Sequence, residues 1–266
     1  MKMEITKEAL EAKLKEFAEE KGIHILLAAE SGSRGWGFHS PDSDYDVRFI
    51  FAWPRENYES PFHPGDDVLH FMDDTKVIDI EGWSLSKVLR SLHAGNTVPM
   101  EWAQSPIIYH DHLNFRDNLV NTFKEGDVYR SGPVVAHYTG LAKKALGKWN
   151  PLMGEKIRTK KLFYALRSIL CARHAMQLSY MPPMQWKDLL GQCTVLGSDE
   201  RETIAWLEKE KTANGEHHQV EVPPCVVSFI TESMKGMNDW LDQNVKKPLP
   251  PRDKYNDFFR SVLRKL

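Results

Sequence analysis

Asp44 and Asp46 stand two residues apart in Asp44-Tyr45-Asp46-Val47-Arg48-Phe49-Ile50. On extended backbone that spacing puts both carboxylates on one face, roughly 6 to 7 Å apart at the backbone. Two side chains so placed can converge on one hard cation. Magnesium is the natural one, with manganese as a substitute, because it takes oxygen ligands and commonly binds through one or two carboxylates plus substrate phosphates. A third carboxylate from a neighbouring strand would complete a two-ion site, and Asp79 is the first candidate, Glu81 the second. Gly32-Ser33 follows an apolar run and is separated from Asp44 by ten residues. A glycine there lets the backbone approach a ligand, while backbone N–H groups and the Ser33 hydroxyl can donate to phosphate oxygens. Arg34 adds a positive charge beside them. In this arrangement the Gly32-Ser33 turn would receive the β and γ phosphates of a nucleoside triphosphate, and metals held by Asp44 and Asp46 would serve the α phosphate and an attacking hydroxyl. Asp79 orients a metal or accepts the proton. The chemistry is nucleotidyl transfer with release of pyrophosphate.

The elements that must position these groups follow from periodicity. Thr6 to Lys21 carries Leu10, Leu14 and Phe17 between charged residues and stops at Gly22, the pattern of an amphipathic helix. Ile23 to Ala29 reads as a strand that breaks at Glu30-Ser31-Gly32. From Asp44 to Phe51 the residues alternate, with Asp44, Asp46 and Arg48 on one face and Tyr45, Val47, Phe49 and Phe51 on the other. Lys76 to Glu81 looks like a third strand, with Asp79 and Glu81 opposite Ile78 and Ile80. Trp53 to Asp74 reads as loop or a poorly marked hairpin.

From Ser84, a plausible N-cap, the period becomes helical through Leu85, Val88, Leu89 and Leu92 to Gly95. Further helices are expected over 113–123, 133–149, 155–178, 199–211, 224–244 and 252–266. The expected architecture is α+β, a mixed sheet with flanking helices over residues 1–125 followed by an all-helical part over 126–266.

Gly32-Ser33, ten residues and Asp44-x-Asp46 resembles the active-site signature of the DNA polymerase β-like nucleotidyltransferase superfamily. The longer runs Gly32 to Phe38 and Ser40 to Ile50, with Asp79-x-x-Gly82-Trp83, Glu101-Trp102 and Ser105 to Tyr109, are similar to the predicted nucleotidyltransferases associated with RNA repair, the RlaP/YcgL-like family. The likeness extends through Lys160-Lys161 and Tyr164 to Arg167, covers about two thirds of the chain, and departs at Gly35, where an alanine is usual. The resemblance implies Asp44, Asp46 and Asp79 as metal ligands, Gly32-Ser33 as the triphosphate-binding turn, and an RNA or tRNA end as acceptor.

Between Lys143 and Arg173 nine Lys or Arg residues face one acid, Glu155, in a chain whose formal net charge is −2. Lys156, Lys160, Tyr164 and Arg167 recur at helical spacing, so a basic stripe with Lys161 beside it is expected to grip a triphosphate tail or an RNA backbone. Two other functions use the same signature: AMP transfer to a protein side chain, and a non-catalytic nucleotide-binding or antitoxin-like module, against which the intact carboxylates argue. No apolar run approaches the ~20 residues of a membrane span, and a cytoplasmic protein is expected. Cys171, Cys193 and Cys225 lack metal-ligand spacing and read as free thiols.

Overall fold

The computed structural model describes residues 5–40, 42–62, 64–74, 77–124, 129–178, 180–215, 217–244 and 249–266. The expected domain boundary at 125/126, the expected strand start at Lys76, and Pro41 and Pro248 lie outside them. In chain order the elements are α1 (Lys7–Lys21), β1 (His24–Glu30), α2 (Gly32–Trp36), β2 (Tyr45–Ala52), α3 (Arg55–Glu59), β3 (Val68–Met72), β4 (Ile78–Ser84), α4 (Leu85–Ala94), α5 (Val98–Ala103), β5 (Ile108–Asp111) and α6 (Phe115–Phe123). There follow α7 (Ser131–Leu146), β6 (Ile157–Arg158), α8 (Thr159–Gln177), α9 (Trp186–Gln192), α10 (Ser198–Asn214), β7 (Gln219–Val220), α11 (Pro224–Gln243) and α12 (Asp253–Leu263). Among the described residues no helix is long and apolar enough to cross a membrane, and all three cysteines are free thiols, of which only Cys171 is fully buried.

The chain packs as two units: Met1–Gly35 with Asp44–Val128 and Leu249–Leu266, and Trp36–Ser43 with Tyr129–Pro248. In the first, a mixed sheet runs β3-β4-β2-β1-β5. Only β2 and β4 are parallel, and they set Asp46 opposite Asp79 and Arg48 opposite Glu81. The caps that frame the sheet are those the sequence encodes: the Thr6 hydroxyl accepts the Ala9 N–H and Gly22 ends α1 at φ 61°, while Ser84 caps α4 through the Lys87 N–H. The apolar side of α1 (Leu10, Leu14, Phe17) buries against Val47, Phe49, Phe51 and Ile80, the face opposite Asp46 and Arg48. Phe49 faces Gly82 across the parallel pair, and a Cβ at Gly82 would fall 2.1 Å from its ring. Glycine is what lets the aromatic ring lie over the neighbouring backbone.

The stretch between Trp53 and Asp74, read as loop or a poorly marked hairpin, holds α3 and the edge strand β3, which pairs antiparallel with β4; its burial alternates, but Val68, Leu69, Phe71 and Met72 put apolar side chains on both faces, so the sequence shows no period of two. Two short segments also change sides relative to a division at 125/126. Leu249–Leu266 returns to the first unit, because Tyr255 and Phe258 of α12 bury against Phe123 at 4.9 and 5.3 Å between ring centroids and Phe258 reaches Phe115 at 5.8 Å. Trp36–Ser43 joins the second unit. There Phe38 packs on Phe163 and Trp186 at 5.5 and 5.7 Å, and its carbonyl accepts a hydrogen bond from the fully buried Lys211 Nζ at 2.7 Å. The loop closes on itself as the serines suggest, with Ser43 Oγ accepting the Ser40 N–H at 3.0 Å.

A chain in which α12 seals the first unit loses stability when that seal is cut. Phe258→Ala is expected to lower the unfolding free energy by about 3 kcal/mol, the cost of an aromatic truncation in a core, measured as a shifted urea midpoint. An unshifted midpoint would show that α12 is dispensable.

Candidate active site

β2 ends its first turn of chemistry where its register meets β4. Asp46 and Asp79 are direct neighbours on adjacent parallel strands, both partly exposed, and like charges so placed repel. Arg48, two residues after Asp46 on the same face, resolves the conflict. Its Nη2 donates to Asp46 Oδ1 at 3.2 Å and to Asp79 Oδ2 at 2.7 Å. Its Nη1 donates to the carbonyls of Val47 and Asp79, both at 3.0 Å. The second oxygen of Asp79 is 2.8 Å from His70 Nε2 on the edge strand β3, and Glu81 accepts the Trp83 indole N–H at 2.9 Å. Asp44 lies one residue before β2, half-buried, on the same side of the extended chain as Asp46.

The Gly32-Ser33 turn is seated directly on Asp46. Gly32 has φ 56°, and a Cβ there would fall 1.9 Å from Asp46 Oδ2. Both the left-handed backbone and the missing side chain are therefore required. The Ser31 N–H donates to the Asp46 carbonyl at 2.8 Å. Gly32 opens the short helix α2, so the N–H groups of its first turn have no acceptor within the helix. Ser33 is buried, and the Arg34 guanidinium lies 3.9 Å over the Tyr45 ring.

Behind this turn stands a residue that the spacing arguments passed over. Glu30 closes β1 with no exposed surface. Its Oε1 accepts the Asp46 N–H at 2.9 Å and its Oε2 accepts the Tyr109 hydroxyl at 2.5 Å, while its carbonyl accepts from Ser105 Oγ at 2.6 Å. Burial raises its pKa from 4.5 to about 7; the bonds from Tyr109 and Asp46 N–H oppose that rise, and the Asp46 charge adds to it. The same burial, with the Glu30 charge beside it, pushes the Tyr109 phenol upward. A signal existed: Glu30 is the single charged residue at the end of an apolar strand, and an unpaired buried carboxylate is rare enough to demand partners.

The first unit thus brings together Gly32, Ser33, Arg34, Asp44, Asp46 and Asp79. Among the described residues no three His, Cys, Asp or Glu side chains form a ready metal cage. The donor set nonetheless suits a divalent cation: hard carboxylate oxygens on one face, one of them held against a glycine that leaves it room, with a guanidinium balancing two of the charges. Lys160, Lys161, Tyr164 and Arg167 belong to the helical unit. The stripe expected there is corrected in two respects. Lys156 precedes α8, which starts at Thr159. Arg167 is 2% exposed, donates from Nε and Nη2 to the Met184 carbonyl at 3.3 and 3.2 Å, and lies 4.3 Å over the Trp36 ring. The reason is that α8 is the central helix of its unit, packed by α7, α9, α10 and α11, so little of its length has an open face. Tyr164 likewise sets its ring edge-on to Trp36 at 4.8 Å.

Comparison with known proteins places these residues in context. A family model described as RNA repair pathway DNA polymerase beta family matches residues 6–261. The uncharacterized protein YcgL of Bacillus subtilis (strain 168) is 32% identical over 220 residues, covering 83% of this chain and 82% of that one. A nucleotidyltransferase-like protein from Exiguobacterium sibiricum 255-15, known from a crystal structure, is 12% identical with a TM-score of 0.33, over 98% of this chain and 80% of that one. At that score the family assignment rests on the first two matches.

Two outcomes test the geometry. Glu30 binds its proton more tightly when folded, so between pH 4.5 and about 7 the folded state holds more protons than the unfolded one, and the stability it contributes falls as pH rises through that window. The loss amounts to roughly 3 kcal/mol by pH 8. Melting temperatures measured from pH 5 to 8 are expected to fall less steeply for Glu30→Gln than for the parent; parallel profiles would contradict the buried carboxylate. Arg48→Met leaves Asp46 and Asp79 opposed without a cation, at a cost of about 1 to 3 kcal/mol. Millimolar magnesium is expected to restore part of the lost melting temperature in this variant, and an unchanged melting temperature without metal would show the bridge to be idle.

Proposed function

The chain belongs to the RNA repair pathway DNA polymerase beta family and is a nucleotidyltransferase of that superfamily; on that premise we propose that it moves a nucleoside monophosphate from a nucleoside triphosphate to the hydroxyl of an RNA end, with magnesium as its cofactor. The observation that carries the reading is the register of β2 and β4, which sets Asp46 against Asp79 with the Gly32 turn seated on Asp46.

Asp44 and Asp46, with Asp79, would hold the divalent ions, magnesium or manganese. Bound there, the ions supply charge neutralisation at the α phosphate, a lower pKa for the attacking hydroxyl and stabilisation of departing pyrophosphate. The residues do the rest. The first-turn N–H groups of α2 and the Ser33 hydroxyl orient the β and γ phosphates. The acceptor oxygen forms a bond to the α phosphorus, the bond to the β-phosphate oxygen breaks, and pyrophosphate leaves. The hydroxyl proton passes to Asp79, whose Oδ1 already neighbours His70 Nε2. Arg48 keeps Asp46 and Asp79 at the separation this requires. Lys160, Lys161 and Tyr164 are proposed contacts for phosphate on the helical unit, while the buried Arg167 serves by holding Trp36.

Incubation with α-labelled nucleoside triphosphates, magnesium, total RNA and cell lysate tests the reading. Label is expected on RNA, falling about 100-fold or more in Asp46→Asn with an unaltered circular dichroism spectrum. Label on protein would replace RNA with a protein side chain as acceptor. No label in any mixture, with Asp46→Asn and parent alike, would overturn nucleotidyl transfer.

A further inference from the structure

The helical unit carries a basic surface that its core does not use. α7 and α8 are joined by residues 147–158 and pack on each other as a hairpin, so the last turn of α7, the connection and the first turn of α8 lie at one end. Lys144, Lys148, Lys156, Arg158 and Lys161 all fall there, and all are exposed. Among the described residues none of the five enters an ion pair. The one acid in the connection, Glu155, is spent on structure. Its Oε2 accepts the Asn150 N–H at 2.8 Å and its carbonyl accepts the Trp149 indole N–H at 2.7 Å.

These bonds give the connection a defined shape. Asn150 Oδ1 accepts the Leu152 N–H at 3.2 Å and starts a 3-10 turn over Pro151–Met153, which Gly154 ends. At its tip Leu152 and Met153 are 89% and 77% exposed, the first of them more open than any other large apolar side chain described. Two adjacent apolar side chains held in water by a hydrogen-bonded turn, among five unpaired cations, match a partner that offers repeated anions and flat apolar faces. A single-stranded polynucleotide offers both: phosphates along one edge and base faces along the other.

We propose that this end of the α7–α8 hairpin is a docking surface for single-stranded RNA, its cations meeting successive phosphates and the Leu152–Met153 tip covering a base. The inference rests on the RNA-acceptor reading above and says which residues hold the acceptor strand. It departs from the stripe along α8 expected from helical spacing at Arg167, which is buried, and adds the exposed cations of the connection.

Fluorescence anisotropy with a labelled single-stranded oligoribonucleotide and the full chain, without nucleotide and over a range of potassium chloride, tests it. Five phosphate contacts predict a slope of log K against log salt of roughly −3 to −4. Combined Lys148→Gln, Lys156→Gln and Lys161→Gln is expected to weaken binding about tenfold or more and to flatten the slope by roughly 2. The corresponding three Lys→Arg changes retain it. Leu152→Ser with Met153→Ser is expected to weaken binding with the slope unchanged, since no counterion is involved. The proposal is overturned if the three Lys→Gln changes leave affinity and slope as they were, or if the parent binds anionic lipid vesicles and no RNA. Label transfer separates this from the function itself. A parent that labels RNA while the Lys→Gln protein binds it undiminished disproves the surface alone. Lost binding in the Lys→Gln protein, with label going to protein in the parent, supports the surface and disproves the RNA acceptor.

Discussion

Everything in the site depends on how Asp46 is held. Its N–H donates to Glu30, its carbonyl accepts from Ser31, one carboxylate oxygen takes a bond from Arg48, and the other lies against Gly32. Backbone and side chain are thus fixed from separate directions, by the end of β1, the turn after it, and a residue two along its own strand. A carboxylate proposed to hold a metal would need such support, because a freely rotating aspartate loses its preorganisation to rotamer entropy.

The same arrangement concentrates charge. Asp46 and Asp79 face each other across β2 and β4, Glu30 lies buried behind, and Arg48 and Arg34 stand among them as cations. Burial raises the Glu30 pKa to about 7, so below that pH its protonated form is favoured and a third negative charge is withheld from the cluster. Arg48 performs the corresponding service for the two exposed carboxylates. The site is therefore kept near balance by the protein itself, and a divalent ion entering it competes with a guanidinium that is already bonded to four oxygens.

The ten residues between Ser33 and Asp44 show how tightly spacing and packing are joined. Trp36 and Phe38 are core residues of the helical unit, Arg167 stacks on one and Lys211 bonds to the other's carbonyl. The linker of the signature is thus an anchored segment rather than a spacer. Within the helical unit it is held by an aromatic cluster of Phe38, Phe163 and Trp186.

Periodicity determined much of this unaided. The alternation from Asp44 to Phe51, the cap at Ser84 and the glycine stops at Gly22 and Gly95 are local properties, each decided by residues within a turn or two, and each is found in the fold. That Asp79 would stand on a strand beside Asp44 and Asp46 was expected, but the Arg48 bridge between Asp46 and Asp79, the arrival of Glu30 and Tyr109 behind the turn, the burial of Arg167, and the return of α12 to the first unit were not legible. They depend on which strands become neighbours and which helix faces are covered. A charged residue at helical spacing reads the same in sequence whether solvent or a tryptophan lies above it. Only the packing of distant segments decides between the two, because desolvation is a property of everything that surrounds a group and not of its neighbours in the chain.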